Sequence, residues 1–377
     1  MKSILEFVNE GFVFFDGGMG SILQEKGLVA GELPETWNIK KPEIIQGIHK
    51  AYLDGGADII KSNTFGANSL KFSDESGDYT LDNIIKCAIN NVKNAISEGA
   101  YDRPKYVALD VGPLGKLLKP LGDMEFERAV ELFAEVVRLG VKHGADLILI
   151  ETMNDLYEAK AALLAAKENS NLPVFLTTAY DENGKLLTGA DAKTVVAMAE
   201  GLRADAIGIN CSLGPEQMIP VVEELTKYAS IPVICNPNAG LPRSENGKTV
   251  YDVGPEEFKV SMRKIVEAGA RILGGCCGTT PDHIKAVADD MAGKQPKPLT
   301  EKDFTIITSY THSVVFEEKA VLIGERINPT GKKKLKEALR NSDMDYILGE
   351  GLTQQDNGAD VLDVNAGLPE IDEQAMI

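Results

Sequence analysis

One pattern recurs along this chain and constrains it more than any other: a short β-rich run, a glycine-rich or polar turn, then a longer stretch with helical spacing. The apolar runs are Phe12 to Phe15, Asp58 to Lys61, Tyr106 to Leu109, Asp146 to Ile150, Val174 to Thr177, Ala206 to Ile209, Val233 to Cys235 and Arg271 to Leu273, eight in all. The intervening stretches Ile44 to Leu53, Leu81 to Ile96, Phe126 to Val141, Leu156 to Ala166, Ala192 to Leu202, Glu216 to Tyr228 and Pro255 to Ala268 set apolar residues three and four apart, and a further helix follows Pro281. Several runs open on one small-residue signature: Gly-Ala-Asp at 56–58 and 144–146, Arg-Ala-Asp at 203–205 and Gly-Ala-Arg at 269–271. This is a repeated helix stop and strand start.

Continuous apolar runs belong to strands buried on both faces, and their alternation with helices implies parallel strands joined by right-handed crossovers. Eight such units predict an α/β chain with a closed (β/α)8 TIM barrel over roughly residues 10 to 295. An open doubly wound sheet is the alternative, but the first turn, Asp16-Gly17-Gly18-Met19-Gly20, lacks the spacing of a dinucleotide fingerprint. Gly293 to Pro298 signals a linker. Beyond it, Ala320 to Gly324 and Asp360 to Val364, the latter again opened by Gly-Ala-Asp, read as the first β/α units of an incomplete second barrel. The expected organisation is a barrel over 1–300, a linker over 301–319 and the opening fragment of another barrel over 320–377.

With 57 acidic against 39 basic residues the formal charge is −18, which repels phosphate backbones and anionic membrane surfaces, so neither nucleic acid nor membrane is an expected partner. Glu6 falls where a signal peptide needs its apolar core, and no run approaches a membrane span. Five cysteines without the spacing of a secreted framework fit reduced thiols, and the expected location is cytoplasmic.

In such barrels chemistry belongs where strands end. Those positions hold Asp16, Asn63, Asp110, Glu151, Asn210-Cys211, Cys235 to Asn238 and Cys276-Cys277. The vicinal pair is a poor disulfide, because adjacent Cα atoms lie about 3.8 Å apart, short of the usual disulfide span. Cys211 ends the sixth strand and the pair ends the eighth, so three thiolates converge on one rim and suit zinc with an open fourth position. Three thiolates and Zn²⁺ sum to −1, a centre better fitted to activating an arriving thiol than to hydrolysis. Cys87, mid-helix, and Cys235 read as buried core thiols. The Asp16 loop is either a plain turn or a cradle of backbone N–H groups for a substrate carboxylate. Glu151 and Asp110 are partners for a substrate ammonium or members of a rim salt bridge. No histidine reads as a ligand: His49, His143 and His283 fall in helices, and His312 lies after the linker. Lys332 to Lys334 is a solvated helix start.

Asp16 to Gly20, Ser62-Asn63-Thr64-Phe65-Gly66-Ala67, Gly208 to Ser212, Pro237-Asn238-Ala239-Gly240 and Gly274 to Thr280 together resemble the homocysteine S-methyltransferase family over about residues 10 to 290. Within it, Ile323 to Gly331 and Asp360 to Asn365 look like the opening of the folate (pterin) barrel that follows the homocysteine module in cobalamin-dependent methionine synthases. The resemblance implies zinc on Cys211, Cys276 and Cys277, with Asn238 supplying an oxygen ligand until a substrate thiol displaces it. It implies that Asp16 and Glu151, with the backbone of Gly18 and Met19, hold the amino-acid head of homocysteine. Asn328, Asp363 and Asn365 are implied pterin contacts, but only in a completed barrel, so methyltetrahydrofolate is not expected to bind this fragment well. Methylcobalamin is expected from another domain or protein, a corrinoid-binding partner. The rival expectations are a methyltransferase using betaine or S-methylmethionine, a noncatalytic zinc or thiol-binding module, and a metal-free barrel lyase with a cysteine nucleophile.

Overall fold

The computed structural model describes residues 2–73, 77–245, 248–303, 305–316 and 319–376. They fall into two compact units, Met1–Lys302 with Ser309–His312, and Asp303–Thr308 with Ser313–Ile377.

In the first unit eight parallel strands form one sheet: β1 (Val13–Phe14), β2 (Ile59–Lys61), β3 (Tyr106–Val111), β4 (Leu147–Met153), β5 (Val174–Thr178), β6 (Ala206–Asn210), β7 (Val233–Asn236) and β8 (Ile272–Leu273). Their spatial order is β1-β8-β7-β6-β5-β4-β3-β2, which is chain order read around a ring. β1 and β2 meet at the parallel bridge Phe15–Ile59, where Asp16 N–H donates to Ile59 O at 3.1 Å and Asp58 N–H to Phe14 O at 2.7 Å. The sheet is therefore a nearly closed barrel, and the reversal of strand order that defines a doubly wound sheet is absent from it. The helices between strands are α1 (Pro42–Asp54), α2 (Leu81–Ser97), α3 (Phe126–His143), α4 (Leu156–Asn169), α5 (Ala192–Gly201), α6 (Pro215–Tyr228), α7 (Pro255–Ala268) and α8 (Pro281–Met291). β3 and β4 run further than their apolar cores, so Asp110 and Glu151 lie within strands rather than beyond them.

The repeated signature has a conformational cause. Its first residue takes the left-handed region each time: Gly56 (φ 100°), Gly144 (81°), Arg203 (62°) and Gly269 (117°). That conformation turns the chain out of a helix, and glycine adopts it at least cost. The aspartate two residues on ties adjacent strands at their starts. Asp58 Oδ2 accepts from Phe14 N–H (3.2 Å), Asp146 Oδ2 from Val107 N–H (2.8 Å) and Asp205 Oδ2 from Val174 N–H (2.8 Å).

The barrel interior is filled by alternate strand residues, among them Val13, Phe15, Ile59, Leu149, Phe175 and Ile272. Phe15 and Phe175 meet edge-on across it, centroids 6.5 Å apart. Ile4 and Val8, from the helix Ile4–Glu10, join the same core and close the end where the strands begin. Chemistry is left to the opposite rim.

The second unit pairs β11 (Ile323–Ile327) with β12 (Val361–Val364) in parallel, with α9 (Lys333–Arg340) and α10 (Met344–Asp356) between them. The strand expected from Ala320 thus starts at Ile323. Gly358 (φ 89°) and Asp360, whose Oδ2 accepts from Leu322 N–H at 3.0 Å, repeat the strand-start device. The antiparallel hairpin of β9 (Ile306–Thr308) and β10 (Ser313–Val315) precedes them within the stretch expected to be linker. Among the described residues, no helix is long and apolar enough to cross a membrane.

Candidate metal and substrate site

Cys211 follows β6 at φ 58°, and Ser212 follows it at φ 62°. Two successive left-handed residues turn the thiol off the strand line and over the rim. Cys276 and Cys277 follow β8, and their backbone is held on both sides. Cys276 N–H donates to Pro237 O (2.8 Å), Gly275 N–H to Asp16 O (3.1 Å), and Cys277 O accepts from Ala239 N–H (2.9 Å). The glycines before the pair are required by close approach rather than by φ. A Cβ on Gly274 would lie 2.6 Å from Phe15 Cβ, and one on Gly275 2.3 Å from Thr279 Oγ1. Of the three flanking glycines, Gly278 alone is left-handed (φ 77°).

The Sγ atoms of Cys211, Cys276 and Cys277 all lie within 4.8 Å of one another, Cys211 and Cys277 at 4.0 Å. A tetrahedral zinc with sulfurs at about 2.3 Å sets them about 3.8 Å apart, so the donor set fits that ion. Hydrogen bonds from Cys211 and Cys276 pull Cys277 well below the usual thiol range, while those with Cys211 and Cys277 push Cys276 up. One sulfur of the cluster therefore carries charge first. Asn238 Oδ1 accepts from the Cys277 backbone N–H at 3.1 Å, which brings its amide oxygen to the second cysteine of the pair. Cys235 is fully buried and Cys87 lies in α2, both outside the cluster.

On the neighbouring arc of the rim, Asp16, Asp110 and Glu151 are all buried, and with them is Lys61, the last residue of β2. Lys61 Nζ donates to Glu151 Oε1 at 3.0 Å and lies 3.7 Å from Asp16 Oδ1; its backbone N–H donates to Asp16 Oδ2 at 3.1 Å. Asp16 Oδ1 and Asp110 Oδ1 are buried without a hydrogen-bond partner. Burial pushes the Asp16 carboxyl up to about 7 against the pull of Lys61. Asp110 is raised well above the usual range by burial, then by Glu151. Burial alone would lower the Lys61 ammonium, but Glu151 and Asp16 outweigh it and keep it protonated. The signal for Lys61 in the sequence was a lysine closing an otherwise apolar run.

The Gly18 N–H, expected to face a substrate carboxylate, donates to Thr279 Oγ1 (3.2 Å) and Thr279 O (3.3 Å). Met19 opens the helix Met19–Glu25 and so belongs to its first-turn amides, which lack intrahelical partners. His49, His143 and His283 lie in α1, α3 and α8, away from the thiols. In the second unit Asn328 Oδ1 caps its own turn through Thr330 N–H (3.0 Å) and Asn365 Oδ1 does so through Gly367 N–H (2.9 Å), while Asp363 is exposed in β12.

The chain matches the homocysteine S-methyltransferase family over residues 13–291. It is 32% identical over 381 residues to the methionine synthase of Mycobacterium tuberculosis, covering 96% of this chain, and 32% identical over 381 residues to that of Mycobacterium leprae. It spans 32% of the length of these curated relatives. The solved homocysteine methyltransferase MmuM of Escherichia coli, metallated form, superposes with a TM-score of 0.65 at 22% identity over 76% of this chain and 99% of that one. Its apo form gives 0.61 at 23% identity, over 76% and 98%. At those identities the likeness establishes the fold alone. Fold, thiol rim and family match lead to one statement: this chain belongs to the homocysteine S-methyltransferase family.

Proposed function

We propose that residues 1–300 are a homocysteine-binding barrel that transfers a methyl group to the homocysteine thiol, giving methionine, with methylcobalamin on a corrinoid-binding domain or partner as the proximal donor. The linker is 301–319, and 320–377 is the opening fragment of a pterin barrel in which Asn328, Asp363 and Asn365 contact the pterin once the barrel is complete. The observation that carries the reading is three sulfurs within 4.8 Å of one another on the rim.

Cys211, Cys276 and Cys277 would hold zinc, and Asn238 Oδ1 would be its oxygen donor in the absence of a substrate thiol. The chemistry such an ion would supply is stabilisation of a substrate thiol in its nucleophilic thiolate form at neutral pH. The protein's part is orientation. Asp16, Asp110 and Glu151 receive the α-ammonium, the amides at Met19 take part of the α-carboxylate, and the amino-acid head is thereby fixed so that its sulfur reaches the thiol rim. The buried carboxyl groups of Asp16, Asp110 and Glu151 offer hydrogen-bond acceptors to that cation. Five free thiols suit a reducing compartment, and we place the protein in the cytoplasm.

The test is zinc X-ray absorption on the purified chain. The expected spectrum is three sulfurs and one light atom, becoming four sulfurs when homocysteine is added; an unchanged spectrum refutes the reading. Cys277→Ser should lower zinc stoichiometry and methyl transfer together. Assaying methylcobalamin, betaine and S-methylmethionine side by side identifies the donor.

A further inference from the structure

The rim carries a cation that a simple amine pocket does not need. Lys61 closes β2, between β1 and β3, and its side chain is 8% exposed. Its ammonium donates to Glu151 Oε1 at 3.0 Å, so it already occupies one of the three carboxyl groups assigned above to the ammonium of a substrate, and it stands 3.7 Å from Asp16 Oδ1, beyond hydrogen-bond reach. The acceptors left over are Asp16 Oδ1 and Asp110 Oδ1, buried and unbonded, on the two strands that flank Lys61. Buried acceptors without donors are costly and call for a ligand that supplies them.

A substrate ammonium between those two oxygens satisfies them, but it brings a second positive charge against Lys61. The repulsion is removed when the ligand carries its own anion toward the lysine. The glycine loop is short of donors for that anion, since Gly18 N–H is taken by Thr279 at 3.2 Å. Lys61 has three donors and gives one to Glu151.

We propose that Lys61 is a specificity-determining residue: its ammonium receives the α-carboxylate of a zwitterionic amino-acid thiol, while Asp16 Oδ1 and Asp110 Oδ1 take the α-ammonium. This rests on the reading of the substrate given above and adds to it the group that rejects amines lacking a carboxylate. A charge-assisted hydrogen bond in a buried site corresponds to about a 10- to 100-fold preference.

The experiment compares dissociation constants of homocysteine and of 3-aminopropane-1-thiol, the same thiol amine without its carboxylate, by titration calorimetry on the zinc-loaded full chain. The wild type is expected to prefer homocysteine by about 10- to 100-fold. Lys61→Met should bring the ratio within about threefold, and Lys61→Arg should keep most of it. Because Lys61→Met leaves three buried carboxylates without their cation, the double variant Lys61→Met/Asp110→Asn secures a folded protein; loss of Asp110 weakens both ligands alike and leaves the ratio readable. A preference that survives in both variants overturns the proposal while leaving the substrate reading intact. A wild type that binds neither thiol overturns both.

Discussion

Gly275→Ala tests whether the glycines before the cysteine pair are there for space. The new methyl group would lie 2.3 Å from Thr279 Oγ1 and 2.7 Å from Thr279 Cβ and Cγ2. Thr279 is fully buried, and its hydroxyl both donates to Cys276 O at 2.6 Å and accepts from Gly18 N–H at 3.2 Å. It has no empty space to move into without giving up those bonds. Overpacking of this kind costs about 1–3 kcal/mol, and two hydrogen bonds add about 1 kcal/mol each, so the expected loss is about 3–5 kcal/mol. Urea unfolding measures it, with Gly20→Ala as the control, because nothing lies within 4 Å of a Cβ there. The control should stay within about 0.5 kcal/mol of the wild type. Competition with a chelator should show zinc held about tenfold or more weakly in Gly275→Ala, since Thr279 fixes the carbonyl of Cys276, a proposed ligand. A Gly275→Ala protein with the unfolding midpoint and zinc affinity of the wild type would refute the steric reasoning.

His49 is fully buried in α1, neither ring nitrogen has a partner, and burial pushes it down to about 3. The unfolded chain therefore takes up a proton below pH 6.5 that the fold refuses, so stability is full above that pH and falls with acid, by about 2 kcal/mol at pH 5. His49→Leu should remove that part of the slope in unfolding curves at pH 7 and 5; parallel pH dependences for the two proteins would count against it. Arg203 occupies at φ 62° the position that glycine fills in the other copies of the strand-start signature. Arg203→Gly should raise stability by about 1 kcal/mol in thermal melts, and a lower melting temperature would contradict the account of the repeat.

The barrel was legible because its cause is periodic. Eight apolar runs separated by amphipathic stretches leave few topologies, and the glycines at 56, 144 and 269 mark helix ends through a backbone requirement visible in one residue type. The three thiols were legible for a related reason: cysteines at strand ends are chemically distinctive before any partner is known. Lys61 was not, because its meaning comes from Glu151, ninety positions away in sequence and two strands away in the sheet. The need for Gly274 and Gly275 is steric and cannot be read from the sequence, since Phe15 is brought against Gly274 by closure of the ring and Thr279 against Gly275 by the fold of the loop. The commitment of Gly18 N–H to Thr279 is of the same kind, a choice between two acceptors that the sequence does not rank.

The Asn210 side chain is one of the links between the two halves of the rim. Thr152, next to Glu151, is left-handed at φ 60°, as are Cys211 and Ser212 next to Asn210. Non-glycine residues there cost about 1–3 kcal/mol each and persist only where neighbours hold them. Asn210 does the holding: its Oδ1 accepts from Thr152 N–H at 3.0 Å, its Nδ2 donates to Thr152 Oγ1 at 2.7 Å, and the same Nδ2 is 3.8 Å from Cys276 Sγ. β4 and β6 are not neighbours, so this contact spans the end of β5. Glu151 is thus linked through Thr152 and one amide to a thiol of the cluster. A carboxylate arc and a sulfur arc tied together in this way suit the task of aligning the head group of a small molecule with its own sulfur.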